Sequence, residues 1–154
     1  MSRIVHPSET ACMSTHIIMP SQSNALGTVF GGQIMAWIDI CAAISAQRFA
    51  RATVVTAAMD QLMFRAPIRH GEIAVLQSQV NWAGTSSMEI GVRVEGEEPI
   101  TGVRTHTSTA YLTFVALDET GAKVSLPTLA PQTAEDKQRW EEALERRKQR
   151  LSAR

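Results

Sequence analysis

The chain has 154 residues, 44% of them hydrophobic, and fifteen basic residues balance fifteen acidic ones to a formal net charge of zero. That length and apolar content fit a single domain with an ordinary core, and the neutral balance excludes a globally basic surface of the kind that binds nucleic acid or anionic membrane. No run of about eighteen apolar residues occurs, so no membrane span is expected.

Residues Met1 to Cys12 are polar, contain Pro7 and show no period, which predicts a poorly ordered lead-in. They also lack the continuous apolar stretch of a secretory leader. Cys12 and Cys41 fit neither a zinc site nor a disulfide framework, so both are expected as reduced thiols of a cytoplasmic protein. Met13 to Met19 is extended in character, and Pro20, Ser21, Ser23 and Asn24 break it into a loop. By residue type alone Asn24 is a turn former.

At Gly31-Gly32 the pattern changes. Ile34, Trp37, Ile38, Cys41, Ile44 and Phe49 recur at helical spacing, predicting a helix that starts near Gly32. Asp39 is the only charged residue between Gln33 and Ala46, and Met35, Ala36, Ala42 and Ala43 lie one turn away on either side. A helix apolar nearly all round is expected to be buried, and a carboxylate inside it is disfavoured as an ion unless hydrogen-bonded. Such a group suits a general base or nucleophile; it also fits a buried Asp bonded to neighbouring backbone. The paired glycines let a ligand approach the backbone closely, and the N–H groups near Gly32 and Gln33 are candidates for stabilising negative charge on a polarised carbonyl oxygen. Base and oxyanion donors then share one helix.

Thr53 to Phe64, Glu72 to Trp82, Ser87 to Glu95 and Val103 to Leu117 read as four further strands, punctuated by Pro67, Gly71, Gly84, Gly96, Pro99, Gly102 and Gly121. One early helix followed by a meander of strands predicts an α+β fold with an antiparallel sheet of about five strands. Met88, Ile90, Val92 and Val94 alternate with Glu89, Gly91, Arg93 and Glu95, so one face of that strand is expected on the core and the other in water. Gly84 to Met88 reads as a hairpin turn. Asp60 is a possible second acid, although a lone strand Asp more often satisfies local donors. His16, His70 and His106 have no companions at ligand spacing, so no metal site is expected. Thr133 to Arg154 predicts a terminal helix, capped by Thr133, with Glu135 and Asp136 in its first turn and a narrow docking stripe of Trp140, Leu144 and Leu151. Its basic end, Arg146, Arg147 and Arg150, is either solvated and matched to the helix dipole or positioned to meet phosphate.

The order Asn24, Gly27, Phe30-Gly31-Gly32 and Trp37-Ile38-Asp39, followed by VVTAAMDQLMF and later TAYLTFVALDETG, resembles the acyl-CoA thioesterases of the hotdog fold. The likeness extends over nearly the whole chain and is to the hexameric cytosolic acyl-CoA hydrolase group in particular. It implies one domain over residues 1–154, a long central helix wrapped by a curved sheet, and hydrolysis of an acyl-CoA thioester without metal or organic cofactor. A dimer would be the minimal active unit and a trimer of dimers the assembly. The resemblance makes Asp39 the catalytic carboxylate and Asn24 its polar partner, supplied to one site by different protomers. It also implies CoA contacts at Gly31 and in the turn Thr85, Ser86 and Ser87, where similar thioesterases often carry a basic residue in place of Thr85, and it makes CoA the source of the phosphate that Arg146, Arg147 and Arg150 are candidates to meet. A non-catalytic acyl-CoA-binding module on the same fold is the alternative. A hotdog dehydratase fits less well, because no His lies between Ala25 and Arg69.

Overall fold

The computed structural model describes residues 3–60 and 62–153. Its elements in chain order are β1 (Ile4–Val5), a 3-10 turn (Pro7–Thr10), β2 (Cys12–Ile17), a second 3-10 turn (Pro20–Gln22), α1 (Gly31–Ala50), β3 (Thr53–Asp60), β4 (Ile73–Ala83), β5 (Ser87–Glu97), β6 (Arg104–Leu117), β7 (Thr128–Leu129) and α2 (Ala134–Ser152). One antiparallel sheet has the strand order β2, β4, β5, β6, β3 and packs its concave face on α1, as the hotdog resemblance implied. Among the described residues no helix is long and apolar enough to cross a membrane.

Two periodicities meet in the core. The helical one buries Ile34, Trp37, Ile38, Cys41, Ala42 and Phe49 of α1, and the alternating one buries Leu76 and Val80, Ile90, Val92 and Val94, and Leu112 and Phe114 of the sheet. Each of the Ile, Leu, Val and Phe side chains among them contributes about 1.5–3 kcal/mol of transfer free energy. Between α1 and β4 the buried hydroxyls are paired: the Ser78 hydroxyl donates to the Cys41 carbonyl at 2.9 Å and lies 2.7 Å from the Ser45 hydroxyl. Arg51 closes the helix in the left-handed region, at φ 51°, and donates its N–H to Gln47 O at 2.8 Å.

Five expectations need correction. The segment before β2 is docked over the described residues: β1 pairs in parallel with β7, and the buried Thr10 hydroxyl accepts from Val80 N at 2.9 Å and donates to Pro7 O. A single well-placed hydroxyl anchors a segment that has no apolar period. The strands are not a simple meander either. β3 pairs with β6 at the far edge, because the connection to β4 is too long for a hairpin and crosses the sheet end, where the buried Ile68 accepts Val29 N–H at 2.9 Å. The β3/β6 ladder breaks its register between Thr56 and Ala58, leaving Ala57 unopposed.

The outer face of β5 is not simply wet. Glu89 is 4% exposed beneath α2, and a Cβ at Gly91 would sit 2.6 Å from the Asn81 amide that reaches across to Glu89. In α2 the buried apolar residue is Ala143, while Leu144 and Leu151 are exposed; the side that docks presents Ala143 and Arg146, and Trp140 packs beside them. Lastly, α1 is not covered all round. Met35 and Ile40 are 43% and 60% exposed, because the sheet shields one side of the helix and nothing in a single chain shields the other.

Candidate active site

Asp39 lies on this uncovered side of α1, half-buried and not enclosed as the apolar pattern implied. Its Oδ1 accepts the Thr56 hydroxyl at 2.7 Å. Thr56 pairs with Phe114, whose side chain is in the core, so both project from the face of the sheet that meets α1. No hydrogen bond to Oδ2 is found among the described residues, so that oxygen stays open to a water or an electrophile. Thr56 has no motif of its own; the one hint in the sequence is a hydroxyl set in the apolar run VVTAAM.

The second half of the site is the start of α1. The N-cap is Phe30, which offers no side-chain acceptor, so nothing from its side chain covers the first-turn N–H groups. Gln33 N donates to Phe30 O at 3.1 Å and Ile34 N to the same oxygen at 3.2 Å. The candidate oxyanion donors are therefore the amides of Gly31 and Gly32, and the Gln33 amide drops out of the pair. Asn24 stands in the preceding loop. Its Oδ1 accepts from Leu26 N at 2.9 Å and Thr28 N at 3.2 Å, and its Nδ2 donates to Thr28 Oγ1 at 2.9 Å. It is thus a turn former, yet one Nδ2 proton remains for a ligand. No hydrogen bond joins Asn24 to Asp39 within the chain among the described residues.

The remaining candidates are scattered. Thr85, Ser86 and Ser87 lie at the β4/β5 turn, where Thr85 O accepts from Leu126 N at 2.7 Å and Ser86 O from Ala116 N at 3.0 Å. Arg146 grips Glu89 through Nε at 3.0 Å and Nη2 at 2.7 Å and lies 3.5 Å over the Tyr111 ring. Arg150 Nη1 donates to Asp60 Oδ2 at 3.0 Å, which also gives that carboxylate a structural partner. Arg147 sits over the Trp82 ring at 5.1 Å. Two of the three arginines thus already hold carboxylates. His16 stacks on Trp37 at 4.2 Å and His106 meets Thr109 Oγ1 at 2.7 Å.

Residues 26–103 match the family model described as the thioesterase superfamily. An uncharacterized acyl-CoA thioester hydrolase of Bacillus subtilis is 43% identical over 128 residues, covering 83% of this chain and 74% of the relative. Against mouse acyl-coenzyme A thioesterase 11 and mouse acetyl-coenzyme A thioesterase the chain spans about a quarter of the relatives' length. Among solved structures, an apo hexameric acyl-CoA thioesterase superposes with a TM-score of 0.94 at 36% identity, covering 98% of this chain and 97% of that one. The acyl-CoA hydrolase of Staphylococcus aureus, in complex with butyryl coenzyme A, coenzyme A and coenzyme A disulfide, gives 0.92 at 35%, covering 98% and 92%.

Proposed function

The chain belongs to the thioesterase superfamily, and from that premise we propose that it hydrolyses acyl-CoA thioesters to carboxylic acid and CoA at a site shared by two protomers. The observation that carries the reading is the layout of α1. At 1.5 Å per residue, the eight residues from Gly31 to Asp39 span roughly 12 Å along the axis, whereas a nucleophile and the carbonyl it attacks must approach within about 3–3.5 Å. One chain therefore cannot bring both groups to one thioester. Apposing the uncovered sides of two helices antiparallel about a twofold axis brings Asp39 and Thr56 of one copy to Asn24 and the glycine amides of the other.

Structures of the Staphylococcus aureus enzyme include alanine variants at an aspartate, a threonine and an asparagine. The chain intervals between those positions equal those separating Asn24, Asp39 and Thr56 here, which supports the same triad. In the reaction Asp39 acts on the thioester carbonyl directly or through a water, Gly31 and Gly32 amides receive the developing oxyanion, and Asn24 orients the water or the carbonyl. Thr56 fixes the carboxylate. A thioester is already activated for acyl transfer, so the scheme calls on no organic cofactor. CoA runs from the glycine turn toward Thr85, Ser86, Ser87 and Arg147. We infer a trimer of such dimers, in keeping with the hexameric structure, and a cytosolic setting that suits the free, buried Cys12 and Cys41.

Thiol release from a panel of acyl-CoAs tests the proposal, with Asp39→Asn as the control. Turnover by the wild type that disappears in the variant is expected. Acyl-CoA binding without turnover would instead identify a non-catalytic module, for which the Asp39–Thr56 pair has no use.

A further inference from the structure

Asn24 stands on a loop whose tip is open: Ala25 and Leu26 are both exposed, Leu26 at 85%. A side chain on such a loop keeps one direction only if a residue anchored to the body of the protein grips it. Thr28 is so anchored. Its backbone forms an isolated antiparallel bridge with Arg69, flanked by His70 N donating to Gly27 O at 2.8 Å and Val29 N donating to Ile68 O at 2.9 Å. Arg69 is fixed in turn, its N–H donating to the Glu72 carboxylate at 2.7 Å.

From that position Thr28 holds the Asn24 amide at both ends. Thr28 N donates to Oδ1 at 3.2 Å, where Leu26 N adds a second bond at 2.9 Å, and Thr28 Oγ1 accepts from Nδ2 at 2.9 Å. Two backbone N–H groups aimed at one end of the amide require the oxygen there, so the nitrogen faces the other way. The loop thus occupies the oxygen and Thr28 takes one Nδ2 proton; the other has no acceptor in this chain among the described residues. Toward an approaching ligand Asn24 is a donor. Branching at Cβ stiffens Thr28 at χ1, so the hydroxyl that receives Nδ2 itself has few directions.

We propose that Thr28 is a positioning residue of the hydrolase, whose hydroxyl aims the remaining Nδ2 proton of Asn24 at the thioester carbonyl oxygen or the attacking water. The inference rests on the hydrolase reading above and adds a residue that acts through Asn24. A group displaced by about 1 Å costs up to roughly a hundredfold in rate; the backbone bonds to Oδ1 survive loss of the hydroxyl and limit the loss to about tenfold.

Thiol release from an acyl-CoA is measured for wild type, Thr28→Val, Thr28→Ser, Asn24→Asp and the Asn24→Asp/Thr28→Val pair, with thermal melting to establish that each is folded. Thr28→Val keeps the shape and removes the hydroxyl; kcat should fall about tenfold with KM within a few-fold, and Thr28→Ser should recover most of the loss. Asn24→Asp separates aiming from support of the loop. An aspartate accepts the same Leu26 and Thr28 amides and can take the Thr28 hydroxyl proton, but it presents no proton to a ligand. If Thr28 aims Asn24, Thr28→Val costs nothing further in the Asn24→Asp background, whose slow turnover is read in single-turnover reactions at high enzyme concentration. A Thr28→Val enzyme with wild-type kcat, or one that loses the same factor in both backgrounds, overturns the proposal. Should Thr28→Val not fold, Thr28→Ala against Thr28→Ser makes the same comparison. Wild-type protein that releases no thiol from any acyl-CoA would sink the hydrolase reading itself, an outcome separate from all of these.

Discussion

Asp39 Oδ1 takes the Thr56 hydroxyl and Oδ2 takes nothing from the described residues, so the two carboxylate oxygens are inequivalent and the carboxylate has a direction. Asp39→Asn keeps the shape and removes the basicity; kcat should fall about a hundredfold or more with KM within a few-fold, as steady-state thiol release will report. Thr56→Val removes one hydrogen bond to a charged group, typically about 1.5–3 kcal/mol, so kcat should drop by at least tenfold. Because Thr56 is exposed, its melting temperature should barely move. Asp39 was legible in the sequence because a lone charge in an apolar helix stands out. Thr56 was not, since its role depends on which strand edge faces the helix, and the Gln33 amide looked free only because a 3-10 turn at the helix start leaves no mark on composition. Cys41 offers a separate check: burial pushes its thiol up to about 11, so a thiol reagent at mild alkaline pH should leave it unmodified until the protein is unfolded.

At the level of elements, α2 is held to the sheet by charge. Arg146 bonds twice to the buried Glu89, which also receives Asn81 Nδ2 at 3.0 Å. Removing one member of a buried pair strands the other, so Glu89→Gln or Arg146→Met alone should cost about 3–5 kcal/mol in denaturant unfolding, and the double replacement by apolar residues distinctly less than the sum. At the other end of the helix, burial pushes the Asp136 carboxyl up. Bonds from the Gln132 and Thr133 amides and the Thr133 hydroxyl, with Arg139 nearby, outweigh burial and hold it below its ordinary value of 3.8. A carboxylate depressed in the folded state contributes stability above that value and loses it as pH falls through and below it. Asp136→Asn should therefore flatten the acid limb of the stability profile below about pH 4, by denaturant titration at several pH values. The Thr133 cap and the acidic first turn were readable in the sequence; the buried charge pair was not, because alternation along β5 assigns Glu89 to solvent until α2 is seen to cover it.

For the molecule as a whole, Met35 and Ile40 are exposed on the side of α1 that the sheet leaves uncovered, an apolar surface of the kind a second copy covers. If two copies cover it and share sites as proposed, inactive Asp39→Asn and inactive Asn24→Ala, unfolded together in equal amounts and refolded, should recover roughly a quarter of wild-type activity, because half the dimers are mixed and each mixed dimer holds one intact site. Mixed dimers verified by native mass spectrometry yet no more active than either variant would exclude the shared site. The central helix that carries the site, the five strands of the large sheet and the terminal helix were all readable from periodicity and punctuation. The placement of β3 at the far edge and the anchored amino-terminal segment were not, since both depend on contacts between residues far apart in sequence.

The unopposed Ala57 has a consequence for how this chain tolerates changes of length. In a strand of strict alternation Thr56 and Asp60, an even number apart, would point the same way, yet Thr56 meets Asp39 of α1 and Asp60 meets Arg150 of α2 on opposite sides of the sheet. The extra residue reverses the parity of the strand between them, and it is slack: with Ala57 deleted, Thr56 still faces Phe114, Ala58 still faces Thr113, and no side chain turns over. Deletion of Ala57 should therefore yield a folded protein that still releases thiol, whereas deletion of Val92 from the unbroken part of β5 inverts every following side chain and should yield none. In a sheet where a one-residue slip within an unbroken ladder inverts a strand, the strand that carries Thr56 is one able to lose a residue.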